Sequence, residues 1–153
     1  MMRTLHEMVR AAVQAGQNVI MDHITTIDPP VLHDCVARLH ELRVLFVALR
    51  PPENLRYKRI DRRLEEAAGE SGLDREQVRL ANERTKRVSR YMDIQIFSHN
   101  HFDLVIDNAT MSPRDVANAI RDRLSEGPGT AFEALSSSLD IQWAPFDAPT
   151  GRT

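Results

Sequence analysis

VLFVALRPP, residues 44–52, is the stretch on which the fold turns. Its first six residues are apolar without a polar alternation, the pattern of a strand covered on both faces. Arg50 ends the run. Pro51 and Pro52 forbid its continuation, because proline has no N–H to donate and holds the residue before it in extended geometry. A strand of this kind belongs inside a mostly parallel sheet flanked by helices, and this one is expected to be central.

Toward the N-terminus, Leu5, Met8, Val9, Ala12 and Val13 share one helical stripe, and Gly16 stands where a left-handed cap would end the helix. Val19, Ile20 and Met21 form a second short apolar run, predicted as a strand with Asp22 at its carboxyl end. Asp28, Pro29 and Pro30 open another helix, whose stripe is Leu32, Cys35, Val36 and Leu39. A turn at residues 41–43 leads into the central strand.

Toward the C-terminus, residues 53 to about 68 predict a helix dense in arginine. Residues 69–72 interrupt it, and Asp74 with Gln77 supplies a capping box for the next helix, carrying Val78, Ala81, Val88 and Met92. Residues 102–106 predict a third strand. Ser112 and Pro113 begin a last helix with Val116, Ala119, Ile120 and Leu124 as its core stripe, stopped by Gly127, Pro128 and Gly129. Residues 1–135 are thus expected to form one α/β domain, and residues 136–153 a loose tail pinned by Trp143 and Phe146. Helices alternating with strands imply parallel pairing. Such sheets receive ligands beyond their carboxyl strand ends, which points to Asp22, Arg50 and Asp107.

The 153 residues are 42% hydrophobic and 27% charged, with a formal net charge of −2. That balance gives no general attraction to nucleic acid or to an anionic membrane surface. Cys35 is the single cysteine, which excludes an internal disulfide and fits a reducing, cytoplasmic setting. The first residues lack the unbroken apolar run of a secretory signal, and no segment approaches the roughly 20 apolar residues that span a bilayer.

Four blocks carry a resemblance. AGQNVIMDHI (15–24) is followed after one helix by VLFVALRPPENL (44–55), then by HNHFDLVIDNATMSPRDVANAI (99–120) and EGPGTAFEAL (126–135). In order and spacing they resemble the chloramphenicol phosphotransferase-like family of P-loop kinases, over residues 5–135. The resemblance implies a P-loop kinase-like α/β fold and an ATP-dependent small-molecule phosphotransferase using ATP and magnesium, with a nucleotide and a small hydroxyl-bearing substrate as partners. It also implies Asp22 at the metal, and Arg50, Arg59 and Arg62 at the nucleotide phosphates. This sequence has Arg59, Ile60, Asp61 and Arg62 where the family commonly has an Arg-Gly-Asp-Arg type stretch.

A G-x-x-x-x-G-K-[ST] loop, which cradles phosphates with backbone N–H groups and a lysine, is nowhere in the sequence, and no glycine is followed by lysine. In the family that loop, its strand and the catalytic base lie upstream of the position corresponding to residue 1, so the catalytic residues stay unknown. Three expectations follow: catalysis that this chain does not complete alone, a P-loop-less interaction or regulatory domain, or a start placed too late. In kinase-like folds the loop's strand lies between those matching residues 19–21 and 44–49. Its loss predicts either that these two strands close up or that the chain forms a homo-oligomer through exposed edges.

Each candidate also has a simpler explanation. Asp22 could merely cap the following turn. Arg50 could snorkel at a strand end. Arg56, Arg59, Arg62 and Arg63 could form a solvated helix face, as could Arg84, Lys86, Arg87 and Arg90, which have no interleaved aromatics to suggest nucleic acid. Neither His99 with His101 nor His33 with His40 is completed as a zinc set by neighbouring cysteines or carboxylates. G-x-S-x-G is absent and Cys35 falls on a core stripe, which excludes a serine or cysteine hydrolase.

Overall fold

The computed structural model describes residues 2–72 and 74–138. Six helices and two strands follow in the order α1 (Met2–Gln14), α2 (Val31–Leu39), β1 (Val47–Leu49), α3 (Glu53–Ser71), α4 (Arg75–Phe97), β2 (Leu104–Ile106), α5 (Pro113–Ser125) and α6 (Ala131–Ser138). The strands pair in parallel, with Val47 opposite Leu104 and Leu49 opposite Ile106. Parallel neighbours need a long crossover, and here α3 and α4 supply it, packed against each other. The architecture is α/β. No helix among the described residues is long and apolar enough to cross a membrane.

The core sits on α2. Leu32, Cys35, Val36 and Leu39 are all buried, and the spacing that predicts this helix also places them on one stripe. Phe132 and Leu135 of α6 close over them, with Val9, Met21, Ile27, Leu42, Val44 and Phe46 packed at the margin. α1 also lies against α2. Complete burial of side chains such as Leu32 or Leu135 contributes roughly 1.5–3 kcal/mol each.

Helix ends follow the sequence closely. Gly16 and Gly72 take the left-handed conformation, with φ of 82° and 68°, after α1 and α3. The Asp74 carboxylate accepts from the Gln77 N–H while the Gln77 side chain accepts from the Asp74 N–H, a complete capping box. Ser112 and Asp115 form a second one at α5, behind Pro113.

Asp103 joins the layers. Its side chain is 1% exposed, and Oδ2 accepts from the Phe46 N–H at 2.8 Å. Oδ1 accepts from the N–H groups of Thr130 at 2.6 Å and Ala131 at 3.0 Å, at the start of α6. The Asp103 N–H donates to the Phe46 carbonyl at 2.9 Å, extending the β1–β2 contact by one bond. Gly129 is required beside it, since a Cβ there would collide with the Asp103 carboxylate and the Val44 carbonyl.

Five expectations are corrected. Residues 19–21 form no strand and neither close on β1 nor pair elsewhere among the described residues; Met21 packs toward the core while Ile20 is fully exposed. An apolar run specifies an extended, partly covered segment, but a strand exists only where a second backbone completes its hydrogen bonds. The ladder of the central run is confined to residues 47–49, because the Asp103 carboxylate takes the Phe46 N–H that a neighbouring strand would otherwise accept from. For the same reason β2 begins at Leu104, and not at Phe102. Met8, Val88 and Leu124, assigned to core stripes, are exposed, since α1 gives His6 and Val9 to the interior and neither α4 nor α5 has a buried residue. The expected tail begins as helix, α6 extending through Ser138; Trp143 and Phe146 lie outside the described residues.

Candidate phosphate crevice at the strand ends

β1 and β2 run in the same direction, so their carboxyl ends open onto one side of the sheet. Arg50 follows β1 directly, and its N–H donates to the Ile106 carbonyl at 2.8 Å, which fixes its backbone beside β2. Pro51 and Pro52 then turn the chain into α3, with Pro52 at the N-cap. Asp107 follows β2 and turns back on itself, accepting from the Ala109 N–H at 2.9 Å. Between them lies an open crevice of about 380 Å³, lined by Arg50, Pro51, Pro52, Glu53, Arg56, Asp93 and Asp107.

Asp93 is the anion on which its two arginines converge. It sits near the end of α4, and packing of α4 on α3 brings it to the two arginines. Arg50 Nη2 donates to one carboxylate oxygen at 2.8 Å and Arg56 Nη1 to the other at 2.7 Å. Partial burial pushes the Asp93 carboxyl upward, but the bond from Arg50 and the charge of Arg56 outweigh it and hold the group below the usual carboxylate range. The Arg50 guanidinium also lies over the Phe97 ring, 4.2 Å from its centroid, which restricts its orientation. Arg56 Nε is buried without a hydrogen-bond partner among the described residues.

The other candidates separate. Arg59, one turn beyond Arg56, reaches the Asn108 carbonyl at 3.5 Å, just past Asp107. Arg62 does not line the crevice and pairs with Glu66 at 3.6 Å on an exposed face. Asp22 is exposed and does not line the crevice; the carboxylate at a strand end that does is Asp107. Of the basic run on α4, Lys86 is tied to Asp61 at 2.7 Å. His99 and His101 stack in parallel at 6.2 Å, continuous with Phe46 and Phe102, so they belong to an aromatic layer.

Asp93 and Arg56 complete the crevice, yet Asp93 carries no local motif. The available signal is a single carboxylate following Arg84, Lys86, Arg87 and Arg90 on a basic helix, which needs a cationic neighbour of its own.

A family model described as chloramphenicol phosphotransferase-like protein matches residues 1–125. No curated protein and no solved structure matches the chain significantly.

Proposed function

Because this chain belongs to the chloramphenicol phosphotransferase-like family, we propose that its strand-end crevice binds the phosphates of ATP in a small-molecule phosphotransferase. Membership sets the class as phosphotransferase-like. The observation that carries the finer assignment is the convergence of Arg50 and Arg56 on the two oxygens of Asp93, at 2.8 and 2.7 Å.

Two guanidiniums held on a two-oxygen anion are already spaced for a phosphate, which offers the same pair of acceptors with more charge. Arg56 Nε adds a donor with no competing partner. Arg59 stands one helical turn further on, beside Asn108, and extends the row along the crevice. Asp107 faces this cationic wall and is the carboxylate suited to hold a magnesium ion or its water shell, the task the resemblance assigns to Asp22. ATP with magnesium supplies the phosphoryl group and the screening of its charge. The chain's own residues bind and orient: Phe97 and Asp93 keep Arg50 in place, and the backbone bond to Ile106 ties that arginine to the sheet. Within residues 1–153 no G-x-x-x-x-G-K-[ST] loop occurs, and the donors the crevice offers a phosphate are the arginine side chains.

Calorimetric titration with ATP, with and without magnesium, tests the proposal. Affinity in the usual substrate range of about 1 µM to 1 mM is expected, and Arg56→Ala should weaken it about 10- to 100-fold, the loss of a charge-assisted hydrogen bond. No binding by the native chain would favour the second reading, an interaction domain without turnover. That reading has its own support: residues 19–21 lie outside any strand, with Ile20 fully exposed, and each strand of the two-stranded sheet keeps an unpaired edge among the described residues. It predicts self-association in sedimentation that Ile20→Lys abolishes.

A further inference from the structure

We propose that His6, His23 and Cys35 form a three-ligand site for a borderline-soft divalent cation of the zinc class. The three residues come from separate elements: His6 from α1, His23 from the loop after it, and Cys35 from α2. Their donor atoms all lie within 4.8 Å of one another. None of them lines the phosphate crevice.

The cluster has the supporting contacts a metal site requires. His6 is fully buried, and its Nδ1 lies 2.9 Å from Asp34 Oδ2. With Nδ1–H donating to that carboxylate, Nε2 is left as a bare acceptor directed at His23, the carboxylate–histidine arrangement that orients imidazole ligands toward metals. Asp34 is itself held by Arg38 Nε at 2.9 Å. His23 Nε2 sits 2.9 Å from His6 Nε2, so both imidazoles present the same nitrogen to one point. Cys35 closes the third side from the core, 1% exposed. His23 is only partly buried and opens the site to solvent, giving an ion a way in and leaving a fourth position for water.

A hydrogen-bonded Asp34–His6–His23 chain accounts for the two imidazoles but gives no use to a thiol beside them. Tetrahedral zinc, with Zn–N and Zn–S bonds of about 2.0–2.3 Å, places its ligand atoms about 3.3–3.6 Å apart. The two nitrogens must therefore part by a few tenths of an ångström and the sulfur move inward. His23 lies outside regular secondary structure, where such a shift is least opposed. Binding breaks the Cys35 S–H bond, forms a sulfur–metal bond and releases that proton to solvent, while the proton on His23 Nε2 shifts to Nδ1 so that both Nε2 lone pairs face the ion. The thiolate and the Asp34 carboxylate set two negative charges against the ion, and the Arg38 charge on Asp34 is met in turn by Glu7 at 3.5 Å. Burial, reinforced by the negative charge of Asp34, holds the free thiol up at about 12, which keeps it inert in the absence of a cation.

The test uses the full chain stripped of metal, titrated separately with zinc and with cobalt(II). One ion per chain is expected, with a thiolate-to-cobalt charge-transfer absorption in the near ultraviolet. His23→Ala, at a partly exposed position, should weaken zinc binding at least tenfold while its circular dichroism stays native. Asp34→Asn should weaken it about 10- to 100-fold and keep the thiolate absorption, as expected of a positioning residue. Cys35→Ala should remove that absorption. Substoichiometric binding, a cobalt complex without the thiolate band, or unchanged affinity in His23→Ala would each overturn the proposal.

Discussion

Replacing Asp103 by alanine removes the acceptor for three backbone N–H groups at once: those of Phe46, Thr130 and Ala131, at 2.8, 2.6 and 3.0 Å. It also removes the carboxylate facing Arg123 at 3.9 Å. Hydrogen bonds to a charged group contribute about 1.5–3 kcal/mol each, and a buried donor left bare loses its full desolvation penalty. Simple addition overshoots, because Thr130 is exposed and water can replace one acceptor there, and because the three bonds share one partner. A loss of about 3–5 kcal/mol is expected, a large part of the roughly 5–15 kcal/mol that stabilises a domain. Urea unfolding followed by far-ultraviolet circular dichroism should show the midpoint falling by about 1–5 M, for slopes of about 1–3 kcal/mol per molar. Asp103→Asn should fall between, since its amide oxygen still serves Thr130 and Ala131 while its NH2 meets the Phe46 N–H. A loss below about 1 kcal/mol for the alanine variant would refute the account of Asp103 as the joint between sheet and α6.

Leu135→Ala should cost about 2–5 kcal/mol in the same assay, because Leu135 is fully buried against α2, whereas Arg62→Ala should stay within about 0.5 kcal/mol, its ion pair with Glu66 being exposed. Acid should act in two windows. His23 and His99 are held below their ordinary value of 6.5 by burial, so the unfolded chain binds their protons first and stability should fall as pH drops below about 6.5; His99→Phe should shrink that slope in pH-dependent urea titrations. Asp93 is held below 3.8, so its contribution should be intact above that pH and vanish beneath it, and Asp93→Asn should flatten this lower limb of the curve.

Local chemistry was legible in the sequence where a few neighbouring residues decide the outcome. The capping boxes at Asp74 and Ser112 and the left-handed Gly16 each depend on residues within one helical turn. The α2 stripe was equally plain, including Cys35 in the core. The strand-end rule placed Arg50 and Asp107 on one crevice because parallel pairing alone decides it. What the sequence concealed depends on partners distant in the chain. Asp93 matters through Arg50, 43 positions away, and His6 through Asp34, 28 positions away. Residues 19–21 read as a strand because an apolar run reports burial and extension, while pairing is a property of the neighbour. His6 interrupts an apolar stripe that a periodicity argument passes over, yet its buried imidazole anchors the second cluster.

The central claim is that the guanidiniums of Arg50 and Arg56, poised on Asp93, receive nucleotide phosphates at the strand ends. Two-dimensional ¹H–¹⁵N spectra of the chain titrated with ATP and magnesium test it most directly. The account predicts saturable shifts at the amides of Arg50, Arg56, Arg59 and Asp107, with Arg62 unmoved. Spectra that do not change, or shifts that gather away from this crevice, would contradict it.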